Sequence, residues 1–181
     1  MTEKLKALKI KLEAFKQKPS ITKKQGAIVS AIEEAIEAGF AGNYSVGTVL
    51  VDSKFNVVSR GRNTVFKPKF RSEAHAEMNA ISSFEVSDSK DQKDRLTLIS
   101  TLEPCLMCTA RILLSGISRI LFLQRDGTAG VCDKLHLFPS NYQELSKRVS
   151  FTEIKDEPAL NALAKDLYEI GEAIWSKEYG L

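Results

Sequence analysis

The stretch LTLISTLEPCLMCTARILLSGISRILFL (96–123) decides the fold. Leu96 to Thr101 is a short apolar run of strand length. Pro104 then opens a helix running to about Ser115, because proline loses no hydrogen bond in a helix's first turn. Ile117 to Leu123 is another strand. Upstream, Val46 to Val51 and Asn56 to Arg60 read as two strands joined by a turn around Asp52–Phe55. A basic loop (61–72), a helix over about 75–85 and a polar loop (86–94) connect them to the opening stretch. At the N-terminus, Leu5, Leu8, Leu12 and Phe15 form the stripe of an amphipathic helix with lysines outside it. Pro19 and Ser20 break that helix, and Ile21, Ile28, Ile32, Ala35 and Ile36 predict a second, ending at Gly39. Downstream, 126–145 reads as irregular, Val149 to Ile154 as a strand, and Ala159 to Tyr179 as a long helix. A hairpin feeding alternating strands and helices implies an α/β protein: a mixed central sheet with helices on both faces. With no repeat and no low-complexity linker, 1–18 reads as an N-terminal extension and 19–181 as a single domain.

Composition narrows the class. At 181 residues, 43% hydrophobic and 27% charged, the chain can bury a sizeable core and is neither disordered nor a membrane protein. No apolar run approaches the roughly 18 to 20 residues of a transmembrane helix, so no membrane partner is expected. Three cysteines, an odd and low count, argue against a disulfide scaffold and for a reducing, cytoplasmic setting. The first twenty residues lack the apolar core of a secretory signal. The formal charge of +3 is an average over a basic 1–24 and an acidic 149–181, and says little about partners.

The chemistry sits in two short segments, His75-Ala76-Glu77 and Pro104-Cys105-Leu106-Met107-Cys108. Cys105 and Cys108, three residues apart on a first helical turn, put both sulfurs on one face, and the positive end of that helix favours thiolates. His75, opening the other helix, can supply a nitrogen from the opposite side. Three such ligands suit Zn²⁺ and leave one tetrahedral position open, the mark of a catalytic zinc, which acidifies water. Glu77 lies near enough to take a proton from that water and hand it to a leaving amine. The arrangement suits hydrolysis at an amino-bearing N–C=N carbon, as found in cytosine, adenine and guanine. Cys-x-x-Cys at a helix start is also a redox placement, and a closed structural zinc could recruit Cys132 or His136. Neither alternative has a use for Glu77.

At these residues the sequence resembles the zinc-dependent nucleobase and nucleoside deaminases of the cytidine-deaminase-like superfamily, whose signature is H-x-E followed by P-C-x-x-C. The match is HAEMNAI (75–81) and TLEPCLMCTARILLSG (101–116), extending over about 25–135 through VGTVLVD (46–52) and GRN (61–63). The resemblance implies a three-layer α/β/α sandwich, His75, Cys105 and Cys108 as zinc ligands, and Glu77 as proton shuttle. It also implies contacts to the base from Asn63 and from backbone around Ala76, and a homodimer. Glu103-Pro104-Cys105 looks like the guanine deaminases and the tRNA adenosine deaminases, whereas HAEMNAI also looks like the deoxycytidylate deaminases. Ala129-Gly130-Val131-Cys132-Asp133 resembles a guanine deaminase segment, which makes Asp133 a substrate-binding acid, and Ser176-Lys177-Glu178-Tyr179 resembles that family's ending, which makes Tyr179 part of a lid. The expected substrate is therefore a small nucleobase or nucleoside, a guanine-type purine foremost, with tRNA adenosine, deoxycytidylate or cytosine as the alternative and a non-catalytic zinc protein as a third reading. Ser45 in place of a usual proline, Cys132 in place of an Asp, and the Lys-rich helix depart from the family's pattern.

Several features carry a bland expectation. The loop 60–71, with five cations, reads as a solvated loop with Phe66 and Phe70 tucked inward, or else as a grip on phosphate or RNA. The N-terminal lysines read as a solvated helix face. His136 reads as structural, Cys132 as a buried or pocket-lining thiol, and Trp175 as core.

Overall fold

A computed structural model describes residues 1–87 and 93–180. Among these residues six α-helices and five strands run in the order α1 (Thr2–Lys16), α2 (Lys23–Phe40), β1 (Gly47–Val51), β2 (Val57–Arg62), α3 (Ala76–Val86), β3 (Thr97–Leu102), α4 (Leu106–Ser115), β4 (Arg119–Gln124), α5 (Ser140–Ser146), β5 (Ser150–Glu153) and α6 (Pro158–Tyr179). Most of the polar loop expected over 86–94 lies outside the described residues.

The sheet order is β2-β1-β3-β4-β5. β1 is antiparallel to both β2 and β3, whereas β3, β4 and β5 are mutually parallel, so the sheet is mixed. Side chains alternate between the two faces of a strand, and both faces here are apolar. Val49, Val51, Ile99 and Leu123 pack with α1, α2 and α6, while Leu50, Leu98, Ile120 and Phe122 pack with α3 and α4. Full burial of each such side chain contributes about 1.5–3 kcal/mol. The result is the three-layer α/β/α sandwich.

Local chemistry fixes the element ends. Thr22 caps α2, accepting from the Gln25 N–H while the Gln25 side chain accepts from the Thr22 N–H. In the β1–β2 turn, Asp52 Oδ1 accepts from the backbone N–H groups of Lys54 and Asn56, each at 2.8 Å. Gly116, at φ 83°, closes α4 and turns the chain into β4. The stripe Leu5, Leu8, Leu12 and Phe15 is buried, and α1 lies over α2 and α6. Lysines on its outer side pair within the chain: Lys9 with Glu37 (3.0 Å) and Lys16 with Glu33 (2.9 Å).

Two expectations are corrected. The helix expected to open at Pro104 begins at Leu106, with Cys105 in extended conformation as its N-cap. The irregular region 126–145 contains α5, a seven-residue helix with no buried residue and hence no apolar stripe to reveal it.

Candidate active site

The end of β3 and the start of α3 converge. Cys105 is the N-cap of α4 and His75 the N-cap of α3, both with extended backbone (ψ 175° and 159°). Two helix N-termini therefore meet, and their partial positive charges favour anionic ligands there. β2 backs directly onto the first turn of α3, a fit that only glycine at position 61 permits: a Cβ there would lie 2.3 Å from the Ala76 carbonyl oxygen. Asn79, one turn into α3, donates from Nδ2 to the Arg62 carbonyl at 2.8 Å.

His75, Cys105 and Cys108 form one cluster, with their ligand atoms within 4.8 Å of one another. His75 Nδ1 lies 3.6 Å from both Cys105 Sγ and Cys108 Sγ. Zinc bonds of about 2.3 Å to sulfur and 2.0–2.1 Å to nitrogen, at a tetrahedral angle, put those atoms about 3.6 Å apart. The donor set and its spacing thus fit zinc. A hydrogen bond from the Cys108 thiol draws Cys105 down to about 4 despite burial. The same bond, with burial, pushes Cys108 well above its ordinary value. Burial lowers His75, but the hydrogen bond and charge of Cys105 outweigh it and leave the imidazole raised.

Glu77, in the first turn of α3, is buried beside the cluster. Ser100 Oγ donates to its Oε1 at 3.1 Å, and Thr48 Oγ1 donates in turn to Ser100 Oγ. Cys108 Sγ lies 3.4 Å from Oε2. Burial, then the charge of Cys105, pushes the Glu77 carboxyl up.

His75, Glu77 and Cys105 line a cavity of about 360 Å³, at the lower end of the ~300–1,000 Å³ that small-molecule sites span. Asn63 lines it, with Oδ1 accepting from the Val65 N–H at 3.0 Å. Ala76 is fully buried in the first turn of α3. Asp133 is exposed and is not among the lining residues; Asp126 is. Glu103 accounts for this: its carboxylate accepts from the N–H groups of Cys132 (3.0 Å) and Asp126 (3.3 Å), fixing the loop between them. Cys132 packs at the edge of the core between the sheet and α3 and α4. Tyr179 is 45% exposed, and its ring packs on Phe66 and Trp175, with centroids at 5.8 and 4.3 Å. Phe66 is tucked inward as expected, whereas Phe70 is 58% exposed.

Sequence reasoning missed Tyr44, Glu172 and Asp126 and set Trp175 aside, yet Glu172, Trp175 and Ser176 of α6 line the cavity with Tyr44. Tyr168, Glu172, Trp175 and Tyr179 recur at four-, three- and four-residue steps, the signal of one helix face.

Residues 21–124 match the family described as the cytidine and deoxycytidylate deaminase zinc-binding region. The chain belongs to that family of cytidine-deaminase-like proteins, and zinc is the metal its cluster serves. A tRNA-specific adenosine deaminase of Haemophilus influenzae is 35% identical over 109 residues, 60% of this chain and 62% of that protein, just under two thirds of its length. A cytosine deaminase of Candida albicans is 24% identical over 150 residues, 83% of this chain and 92% of that one. Among solved structures, a guanine deaminase from Nitrosomonas europaea superposes with a TM-score of 0.59 at 20% identity, covering 79% of this chain and 83% of the other, a likeness of fold.

Proposed function

We propose that the protein is a zinc-dependent hydrolytic deaminase of an uncharged nucleobase, with guanine the leading candidate, releasing ammonia. The observation that carries this reading is the charge of the cavity. Glu77, Glu103, Asp126 and Glu172 line it, Glu103 being paired with Arg125 at 3.3 Å, while the described lining residues include no Lys or Arg. A phosphate approaching a carboxylate to ~4 Å meets a repulsion of ~1 kcal/mol in bulk water and ~4 kcal/mol near a protein surface. Nucleotides and nucleic acid are therefore disfavoured, and bases rich in N–H donors are favoured. Guanine, with donors on its ring and its amine, matches a cavity walled by acceptors.

The cations of the loop 60–71 do not offset this. Arg62 Nε bonds Glu34 at 2.7 Å, Arg60 approaches Glu33 at 3.4 Å, and Arg71 bonds Glu73 at 2.9 Å. Three of the loop's five cations thus have carboxylate partners within the chain. The sequence kinship with a tRNA-specific adenosine deaminase supports a second reading, an adenosine in a tRNA loop, which the same assay decides.

Zinc, when bound, supplies a Lewis acid that lowers the pKa of water to near neutrality. His75, Cys105 and Cys108 hold it. Glu77 takes the proton from the attacking water and returns it to the departing amine. Ser100 fixes one carboxyl oxygen, and the other lies beside the Cys108 sulfur of the metal cluster. Asn63 has its Oδ1 occupied, leaving its amide N–H₂ to orient the base.

Ammonia release measured across guanine, guanosine, adenine, cytosine, deoxycytidylate and tRNA tests the proposal. Guanine or another free base should be turned over best; preference for tRNA or deoxycytidylate overturns the reading. Glu77→Gln should retain about one zinc per chain, as its three ligands are untouched, and lose turnover by at least ~10²-fold.

A further inference from the structure

The four cavity carboxylates differ in how many of their oxygens are already engaged. Glu77 is held by Ser100 and Cys108. Glu103 has both oxygens committed, Oε1 to the Cys132 N–H and Arg125, and Oε2 to the Asp126 N–H. Asp126 Oδ1 closes its own turn, accepting from the Thr128 N–H, the Thr128 hydroxyl and the Ala129 N–H at 2.9–3.0 Å; its Oδ2 has no partner among the described residues, but three bonds tie the group to its own loop. Glu172 has a single bond among the described residues: the Tyr44 hydroxyl donates to its Oε1. Glu172 lines the cavity, and its Oε2 has no partner among the described residues.

Tyr44 is itself held on α6. A Cβ at Gly171 would come within 2.6 Å of the Tyr44 ring, so that ring rests on the helix backbone, a seat only glycine provides. The ring also meets Trp175 edge-on, with centroids 6.2 Å apart. Burial and the neighbouring Glu172 push the Tyr44 phenol far above its ordinary value, so it stays protonated and remains a donor.

We propose that Glu172 is the specificity-determining carboxylate of this cavity, accepting a hydrogen bond from an N–H of the base, and that Tyr44 is the positioning residue that aims it. The inference rests on the deaminase reading in taking a nucleobase as the ligand. Glu172 lines the cavity from α6, whereas Glu77 lines it from the first turn of α3 beside the zinc cluster. In Glu172→Gln the amide oxygen keeps the Tyr44 bond and turns the N–H₂ into the cavity, donor facing donor.

Equilibrium dialysis of the zinc-loaded full chain with radiolabelled guanine, adenine and cytosine tests this, with Glu77→Gln present in every dialysis sample so that the bases are bound and not turned over, and with zinc content and melting temperature establishing that each variant is folded. Losing a hydrogen bond to a charged acceptor should weaken the tightest-bound base about ten- to a hundred-fold in Glu172→Gln. Tyr44→Phe keeps the ring contacts and the carboxylate, and should weaken it about two- to ten-fold. In steady-state assays both losses should fall mainly on KM rather than kcat. Equal binding with and without Glu172→Gln, including no binding in either case, overturns the proposal. If Glu172→Gln does not fold, undiminished affinity in Tyr44→Phe overturns it. A base whose binding depends on Glu172 but which yields no ammonia leaves this role standing and overturns the deaminase reading instead.

Discussion

Replacing Gly61 with alanine introduces a Cβ 2.3 Å from the Ala76 carbonyl oxygen and 2.4 Å from the Ala80 nitrogen, both backbone atoms of α3. Backbone cannot rotate away as a side-chain tip can, so restoring a van der Waals separation of ~3.5 Å requires α3 to retreat by about 1 Å. That helix carries His75 as its cap and Glu77 in its first turn, whereas Cys105 and Cys108 belong to α4. The 3.6 Å spacing from His75 Nδ1 to each sulfur matches a tetrahedral zinc, and a 1 Å displacement of one partner spoils it. Overpacking of this kind costs about 1–3 kcal/mol, or roughly 2–12 °C in melting temperature for a domain of this size. A 1 Å error at reacting groups costs about 10²-fold in rate. The assay is a comparison of melting temperature, zinc per chain and ammonia release in Gly61→Ala and Gly47→Ala. The second variant is the control: its Cβ would lie 2.1 Å from the Ala31 carbonyl oxygen of α2, on the other face of the sheet. Both should lose stability, but only Gly61→Ala should lose zinc affinity. Gly61→Ala with wild-type zinc binding and turnover, or equal zinc loss in the two variants, refutes the coupling of β2 packing to metal geometry.

Thiol labelling distinguishes the three cysteines. In the zinc-loaded protein only Cys132 is a non-ligand thiol, and burial, then the Glu103 carboxylate, pushes it well above its ordinary value; its alkylation rate should still be climbing near about pH 10, where a free thiol of pKa ~8.5 has levelled off, and a chelator should raise the labels seen by mass spectrometry from one to three. Leu12→Ala removes a side chain that is 1% exposed between α1 and the helices beneath it, and should cost about 2–5 kcal/mol in denaturant unfolding while zinc stays at one per chain, because the cluster lies on the opposite face of the sheet.

The parts of the fold that sequence revealed are those set by local periodicity. The run 96–123 alternates strand, helix and strand, and the α1 stripe repeats at three and four residues; both appear, the helix opening two residues later than read. The zinc cluster was legible for a related reason: its spacing within each segment is a local fact, and only the pairing of the segments needed the fold. What stayed hidden depends on partners remote in sequence. That Glu172 faces Tyr44, 128 residues away, follows from how α6 crosses the sheet, which its own periodicity does not encode. Trp175 looked like core because an apolar face reads the same whether it meets a core or a cavity. Asp133 was expected at the substrate, but Glu103 ties down Asp126 and Cys132, and the loop so formed leaves Asp126 at the cavity and Asp133 exposed. α5 has no buried residue, so no pattern existed to read.

The Lys-rich N-terminus acquires a structural reason once α6 is recognised as a wall of the site. Leu5, Leu8, Leu12 and Phe15 share one core with Leu163, Leu167, Ile170 and Ile174 of α6. That apolar side of α6 lies across the helix from Glu172, and Trp175 packs against it while also lining the cavity, so the packing of α1 and α2 on α6 sets the cavity wall. The cations of α1 reinforce the packing, Lys11 approaching Asp166 of α6 at 3.8 Å. Exposed pairs of this kind are worth little individually; their effect is to leave fewer free cations on α1 for an external polyanion. The uneven charge along the chain thus has a consistent physical reading. Much of the basic charge of α1 is paired within the chain, while acidic residues, Glu172 of the C-terminal segment among them, line the cavity. An RNA-binding deaminase needs the reverse, free cations around an open mouth, and binding that weakens steeply with salt. A base entering a cavity walled by carboxylates has no counterions to release, so its affinity should change little between low and physiological salt.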